Sequence, residues 1–260
     1  MQTIVDSHAH LDHAAFTADR QQVIARARAS GVEMLVIPAV DQTSWTGIRQ
    51  LCATDRHLYP AYGLHPLCVG NYASTDVHAL SAWLDAGDAV AIGETGLDFH
   101  AQSPDRELQR QYFKAQLQLA RERDLPVIVH GRSAFEEVIL SIREAGTGLR
   151  GVVHSFSGSQ QQAGRLWDMG FSIGIGGPVT YERAQRLRRI VANMPVEFLL
   201  LESDAPDQPD AGIRGQRNEP ARVAAVARCV AGLRGESPAT LAAATTANAC
   251  RLFGLGSPGS

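Results

Sequence analysis

Ile4-Val5-Asp6-Ser7-His8-Ala9-His10-Leu11-Asp12 is a short apolar run that ends in two histidines two residues apart. Residues i and i+2 of an extended strand point to the same side, so His8 and His10 converge on one point. An imidazole pair displayed at a strand end suits a divalent cation. Two surface histidines at a turn would look the same in isolation, so the reading depends on the rest of the chain.

Working outward from that run, β-rich segments recur at 34–40, 59–64, 89–93, 126–130, 151–154, 171–175 and 197–201. Helical patterns separate them at 17–30, 44–55, 76–86, 104–123, 134–144, 160–168 and 181–193, and two more follow at 219–233 and 238–253. In 104–123 the apolar residues Leu108, Tyr112, Leu117 and Leu119 recur among many charges, the mark of an exposed helix with one buried stripe. Eight strands alternating with helices over ~250 residues predict an α/β fold, a TIM-like (β/α)8 barrel. A doubly wound sheet shares the alternation. However, no G-x-G-x-x-G follows a strand, and Gly174-x-Gly176-Gly177, followed by Pro178, reads as a turn. One domain is expected over 1–253, with the Gly/Ser/Pro-rich tail 254–260 frayed.

Composition narrows the function. A net charge of −3 over 260 residues gives no reason for tight nonspecific duplex binding, so any nucleic-acid contact should be local, at a strand end. Lys114 is the sole lysine and falls mid-helix in 104–123, which excludes most lysine chemistry. Cys52, Cys68, Cys229 and Cys250 form no C-x-x-C pair and read as small buried hydrophobes of a reducing compartment. The N-terminus shows no signal-peptide pattern, and no apolar run approaches the ~18 residues of a membrane span. A cytoplasmic protein with no membrane association and no obligatory protein partner is expected.

Chemistry in such a barrel sits at the C-terminal ends of the strands. There the sequence places His8 and His10, His65 of Gly63-Leu64-His65-Pro66, Glu94, His130, His154 and Asp204, so five of the nine histidines stand at strand ends. Each has an ordinary account, as a cap, a core residue or a loop hydrogen-bonder. Their repetition around one ring favours a shared metal site. Four histidines and two carboxylates exceed one tetrahedral ion and fit two. His8, His10 and Asp204 are assigned to the first, His130 and His154 to the second, with Glu94 bridging. The position of Lys114 closes the alternative of a carboxylated-lysine bridge.

Beyond this constellation, Gly93-Glu94-Thr95-Gly96-Leu97-Asp98-Phe99, Pro126-Val127-Ile128-Val129-His130-Gly131-Arg132, His154-Ser155-Phe156-Ser157-Gly158, Glu202-Ser203-Asp204-Ala205-Pro206 and Arg217-Asn218-Glu219-Pro220 follow in order. With the first strand, they make the chain resemble the TatD-type metal-dependent deoxyribonucleases of the amidohydrolase superfamily. The resemblance spans nearly the whole chain and implies a TIM-like barrel whose divalent-metal positions coincide with the six residues named above. Two departures stand out. Asp207-Gln208-Pro209-Asp210-Ala211-Gly212 replaces a frequent aromatic and leucine, and Ser155 stands where cysteine is frequent. The first change is closer to the uncharacterised hydrolase branch of the family.

The expected function is a metal-dependent hydrolase, a deoxyribonuclease that cleaves phosphodiester bonds from DNA 3′ ends through a metal-activated water. Single-stranded DNA or DNA ends would be its substrate. Two cations ~3.5–4 Å apart would activate that water and polarise the electrophile. Asp204 would take the water's proton, Glu202 would assist or orient, His65 would donate to a substrate oxygen and Arg132 would fork onto a phosphate. Asp12 and Asp98 either orient the histidines or cap helices. His13, His57, His78 and His100 read as surface or loop residues. Imidazole-rich coordination favours Zn²⁺ or Mn²⁺, whereas the family resemblance points to Mg²⁺. Hydrolysis of a small amide or ester, and a non-catalytic metal-binding barrel, are the rival readings.

Overall fold

The computed structural model describes residues 3–73, 75–100, 102 and 104–256. Eight β/α units follow one another: β1 (Ile4–Asp6) and α1 (Arg20–Ala29), β2 (Val32–Pro38) and α2 (Gln42–Cys52), β3 (Leu58–Tyr62) and α3 (Asp76–Leu84), β4 (Ala91–Asp98) and α4 (Arg106–Arg123). The second half contributes β5 (Val127–Arg132) and α5 (Phe135–Ala145), β6 (Gly151–Val153) and α6 (Gln160–Asp168), β7 (Phe171–Ile175) and α7 (Gln185–Asn193), then β8 (Leu199–Leu201), α8 (Val223–Arg234) and α9 (Pro238–Phe253). All seven ladders from β1 to β8 are parallel and in chain order, the TIM-barrel arrangement expected from the sequence.

The ring closes without a regular β8–β1 ladder. Ser7 donates its backbone N–H to Leu201 O, Asp204 to His8 O and His10 to Ala205 O, each at 2.9 Å. Buried Asp6 pins the seam from inside, accepting Ser203 N at 2.9 Å and Ser203 Oγ at 2.6 Å. Burial pushes the Asp6 carboxyl up to about 7 against those bonds.

Strand alternation sorts the core into two layers. Val5, Met34, Val36, Ala61, Ala91, Ile128, Val152 and Leu200 form one cluster, closed by Ala249, Phe253 and Leu255 at the end of α9. Their alternates, including Leu35, Ile37, Ile92, Val129, Val153 and Ile173, pack with the apolar faces of the surrounding helices. Leu255, at the start of the tail expected to fray, is therefore buried; residues 257–260 lie outside the described ones.

Several boundaries differ from expectation. The strand expected at 89–93 runs on to Asp98, and the one expected at 126–130 runs on to Arg132, so Glu94, His130 and Arg132 lie within strands. Helix α8 begins at Val223 because Pro220 opens a short 3-10 turn, Pro220–Arg222, ahead of it. The four cysteines are unpaired, as expected, but only partly buried. No helix among the described residues is long and apolar enough to cross a membrane.

Candidate metal centre

A bulge aims Glu94 into the barrel mouth. Ile92 pairs with Val127 but Thr95 with Val129, so three steps along β4 match two along β5. The backbone is crowded there: a Cβ on Gly93 would come 2.7 Å from Ile128 Cβ, and one on Gly63 would come 2.6 Å from Gly93 C. Only glycines let β3, β4 and β5 approach this closely.

The two Glu94 oxygens face different partners. Oε2 lies 3.2 Å from His8 Nε2 and 3.6 Å from His10 Nε2. Those two nitrogens are 3.1 Å apart, and Asp204 Oδ1 is 3.5 Å from the first and 3.6 Å from the second. Oε1 lies 2.7 Å from His154 Nε2, 2.9 Å from His130 Nδ1 and 3.2 Å from His65 Nε2. Donors ~2.0–2.1 Å from one tetrahedral ion stand about 3.4 Å from each other, so the first group fits a cation closely. All six residues proposed as metal ligands from the sequence converge here.

Hydrogen bonds to the far side of His10, His130 and His65 assign which nitrogen of each keeps a lone pair. His10 Nδ1 is 3.2 Å from Pro38 O, an acceptor only, so Nδ1 carries the proton and Nε2 is free to ligate. His130 Nε2 is 3.1 Å from Asp98 Oδ2, so the proton sits on Nε2 and the Nδ1 lone pair faces the Glu94 side, free to ligate. His65 is wired the opposite way. Its Nδ1 accepts the Leu67 N–H at 3.1 Å, so its proton sits on Nε2, aimed at Glu94 Oε1. His65 lies among the candidate ligands but is presented as a hydrogen-bond donor.

Electrostatics follow this packing. Burial opposes charge on Glu94, yet His154, His65 and His8 hold its carboxyl well below the usual range. Burial likewise opposes protonation of His154, but Glu94 and then Asp204 push it up to about 10. Burial, with the His154 ring stacked 4.0 Å away, lowers His8 to about 4.

The remaining predicted residues occupy distinct places. Glu202 sits behind the cluster, its Oε1 accepting Ser155 N at 2.5 Å and lying 3.9 Å from His154 Nδ1. Burial pushes its carboxyl up to about 8. Asp98 orients His130 and accepts His100 N in a turn, the first of the roles left open by the sequence, while the helix that follows is capped by Asp105. Arg132 is exposed at the rim of a cavity of about 740 Å³ that also meets His10, His65, Glu94, His154 and Asp204. His13, expected on the surface, is exposed on that same rim and caps Ala15 N. Sequence reasoning missed Asn218, whose Nδ2 donates to Ser203 O and Asp207 O, both at 2.8 Å, and so fastens the Asp204 loop. It also missed Gln208, which touches Asp204 directly.

The sequence matches the family described as "TatD related DNase" over residues 5–254. It is 36% identical over 253 residues to the "Uncharacterized metal-dependent hydrolase YjjV" of Escherichia coli K12, covering 96% of this chain and 98% of that protein. The crystal structure of YjjV superposes with a TM-score of 0.92 at 35% identity, over 97% of this chain and 98% of that one. The "3'-5' ssDNA/RNA exonuclease TatD" of Salmonella typhimurium LT2 is 34% identical over 254 residues, covering 95% of this chain and 98% of that protein. A glutamate-centred cluster of histidines at the mouth of a parallel barrel, carried on a sequence so matched from end to end, makes this chain a metal-dependent hydrolase that belongs to the TatD family.

Proposed function

We propose that the chain is a two-metal phosphodiesterase that shortens single-stranded DNA from its 3′ end. One observation carries the reading: the two oxygens of Glu94 serve two separate donor groups, His8–His10–Asp204 and His130–His154. Two divalent cations held there would supply Lewis-acid polarisation of the phosphate and a water of lowered pKa. Imidazole-rich donors favour Zn²⁺ or Mn²⁺, with Mg²⁺ able to substitute.

The chain's own residues then have separate tasks. Asp204, which lines the cavity, takes the water's proton at a carboxylate oxygen. His65 presents its Nε2–H to a phosphate oxygen. Arg132 offers a planar fork to the same or the next phosphate. Glu202 positions His154 from behind and stays out of contact with substrate. A cavity of about 740 Å³ falls within the ~300–1,000 Å³ of small-ligand sites and suits a chain end better than a duplex. The name of the Salmonella relative, a 3'-5' exonuclease of single-stranded DNA and RNA, supports the same polarity. Four unpaired thiols support a cytoplasmic setting.

The test is 5′-end-labelled single-stranded DNA incubated with protein stripped by EDTA and reloaded with Mn²⁺, Zn²⁺ or Mg²⁺. Metal-restored shortening from the 3′ end is expected. Bound metal without turnover of DNA or RNA would overturn the nuclease reading, and hydrolysis of small esters or amides under those conditions would replace it.

A further inference from the structure

We propose that Gln208, set in turn by Ser155, is the positioning residue that holds Asp204 with a single oxygen facing His8 and His10. Gln208 Nε2 donates to Asp204 Oδ2 at 2.5 Å, while Ser155 Oγ donates to Gln208 Oε1 at 2.7 Å. Asp204 is an acceptor only, so it must be met by the amide nitrogen. That leaves the amide oxygen for Ser155, and the orientation of Gln208 is fixed at both ends. With Oδ2 occupied, Oδ1 is the oxygen turned to His8 Nε2 and His10 Nε2.

The backbone is shaped around this chain of contacts. Ser155, Asp204 and Gln208 all adopt left-handed φ, at 48°, 55° and 50°, and are three of the five non-glycine residues that do so among the described ones. Left-handed conformations at non-glycine residues persist where the surroundings impose them. Here Asn218 Nδ2 donates to Gln208 O at 3.3 Å and Tyr181 Oη to Pro209 O at 3.0 Å. Gly177 lies flush beneath, where a Cβ would come 2.8 Å from Asp210 N. All three linked side chains also line the cavity, so the same contacts give its wall a polar stretch beside the reacting position.

This inference rests on the metal-centre reading above, and its test includes a readout that does not need substrate turnover. Stripped protein is titrated with Co²⁺ alone, and its visible absorption reports the number and geometry of donors; kcat and KM are measured separately on single-stranded DNA. Gln208→Leu is expected to change the Co²⁺ spectrum and to lower kcat about 10–100-fold, with KM little changed, on the scale of lost outer partners of metal ligands. Ser155→Ala should produce a smaller shift in the same direction, and none once Gln208→Leu is present. Gln208→Asn, too short to span Ser155 and Asp204, should resemble Gln208→Leu, and provides the test if the leucine variant fails to fold. Should wild-type protein show no activity on DNA, the nuclease reading fails while the Co²⁺ spectra still decide the positioning. An unchanged Co²⁺ spectrum and kcat in Gln208→Leu and Gln208→Asn, or fully additive effects with Ser155→Ala, would overturn it.

Discussion

His8, His10 and Asp204 stand just past the two strands that close the barrel, whereas His130 on β5 and His154 just past β6 follow strands joined by an unbroken ladder. The first group exists only where the ring is zipped by Asp204 N→His8 O and by the Asp6–Ser203 pin. The second is backed by Asp98, hydrogen-bonded to His130, and by Glu202, 3.9 Å from His154 Nδ1. The donor counts differ as well. With Glu94 Oε2 the first group offers four donors, and with Glu94 Oε1 the second offers three once His65 is set aside as a hydrogen-bond donor. A filled tetrahedron holds its ion firmly, and a site one donor short keeps a place for water or substrate. On the two-metal reading proposed above, one glutamate would join a closed, seam-dependent half-site to an open, ladder-supported one.

Glu94→Ala should erase the contrast altogether, since both groups lose their common donor. Metal content by mass spectrometry should fall for both ions, and turnover by ~10⁴, the scale of losing a member of a cooperating catalytic set. Retention of one full equivalent of metal would show that the halves are independent. Asp204→Ala should empty the first group alone and leave activity below a few per cent of wild type. The far-UV spectrum should persist, because the Asp204 side chain lines the cavity and is not part of the apolar core. If instead the second equivalent is lost first, the two halves have been ranked the wrong way round.

His65→Ala sharpens the donor count. Turnover should drop about 10²-fold, as for other lost donors to a developing oxyanion, with both metal equivalents retained. Loss of metal would make His65 a ligand and give both halves four donors. Asp98→Asn releases the His130 ring and should weaken the more easily stripped equivalent by about 10–100-fold in an EDTA competition, leaving the tighter one alone.

The smallest effect is expected at the seam's outer clasp. There Asp19 receives Arg217 at 2.7 Å and Arg26 at 3.2 Å, and Arg26 reaches Glu219 at 2.7 Å. Arg217 pulls the Asp19 carboxyl from 3.8 down to about 2. A carboxyl depressed in the folded state stabilises above its unfolded value and loses that contribution as pH falls through the folded one. Metal-free Asp19→Asn should therefore melt slightly below wild type at neutral pH, and the two curves should converge between pH 4 and 2. A constant difference over that window would remove the charge from the account.

The alternation of strands and helices, and all six candidate ligands, could be read in the sequence because each ligand sits at or just past a β-rich run. What could not be read is geometry that arises only after folding. The bulge that turns Glu94 inward depends on Gly63, Gly93 and Ile128 meeting across three strands. His65 shares its strand-end position with the candidate ligands, and only the Leu67 N–H distinguishes it as a donor. Ser155 and the segment after Asp204 stood out separately as departures from the family pattern. That Ser155 and Gln208 touch, 53 residues apart, no local pattern could reveal.

The seam also orders events in time. A ribosome must pass residue 204 before the donor set begun by His8 and His10 can be completed, whereas His130 and His154, beside the other Glu94 oxygen, are both present once residue 154 has emerged. The seam-side donor group is therefore complete only late in synthesis, in chains whose cylinder can join end to end.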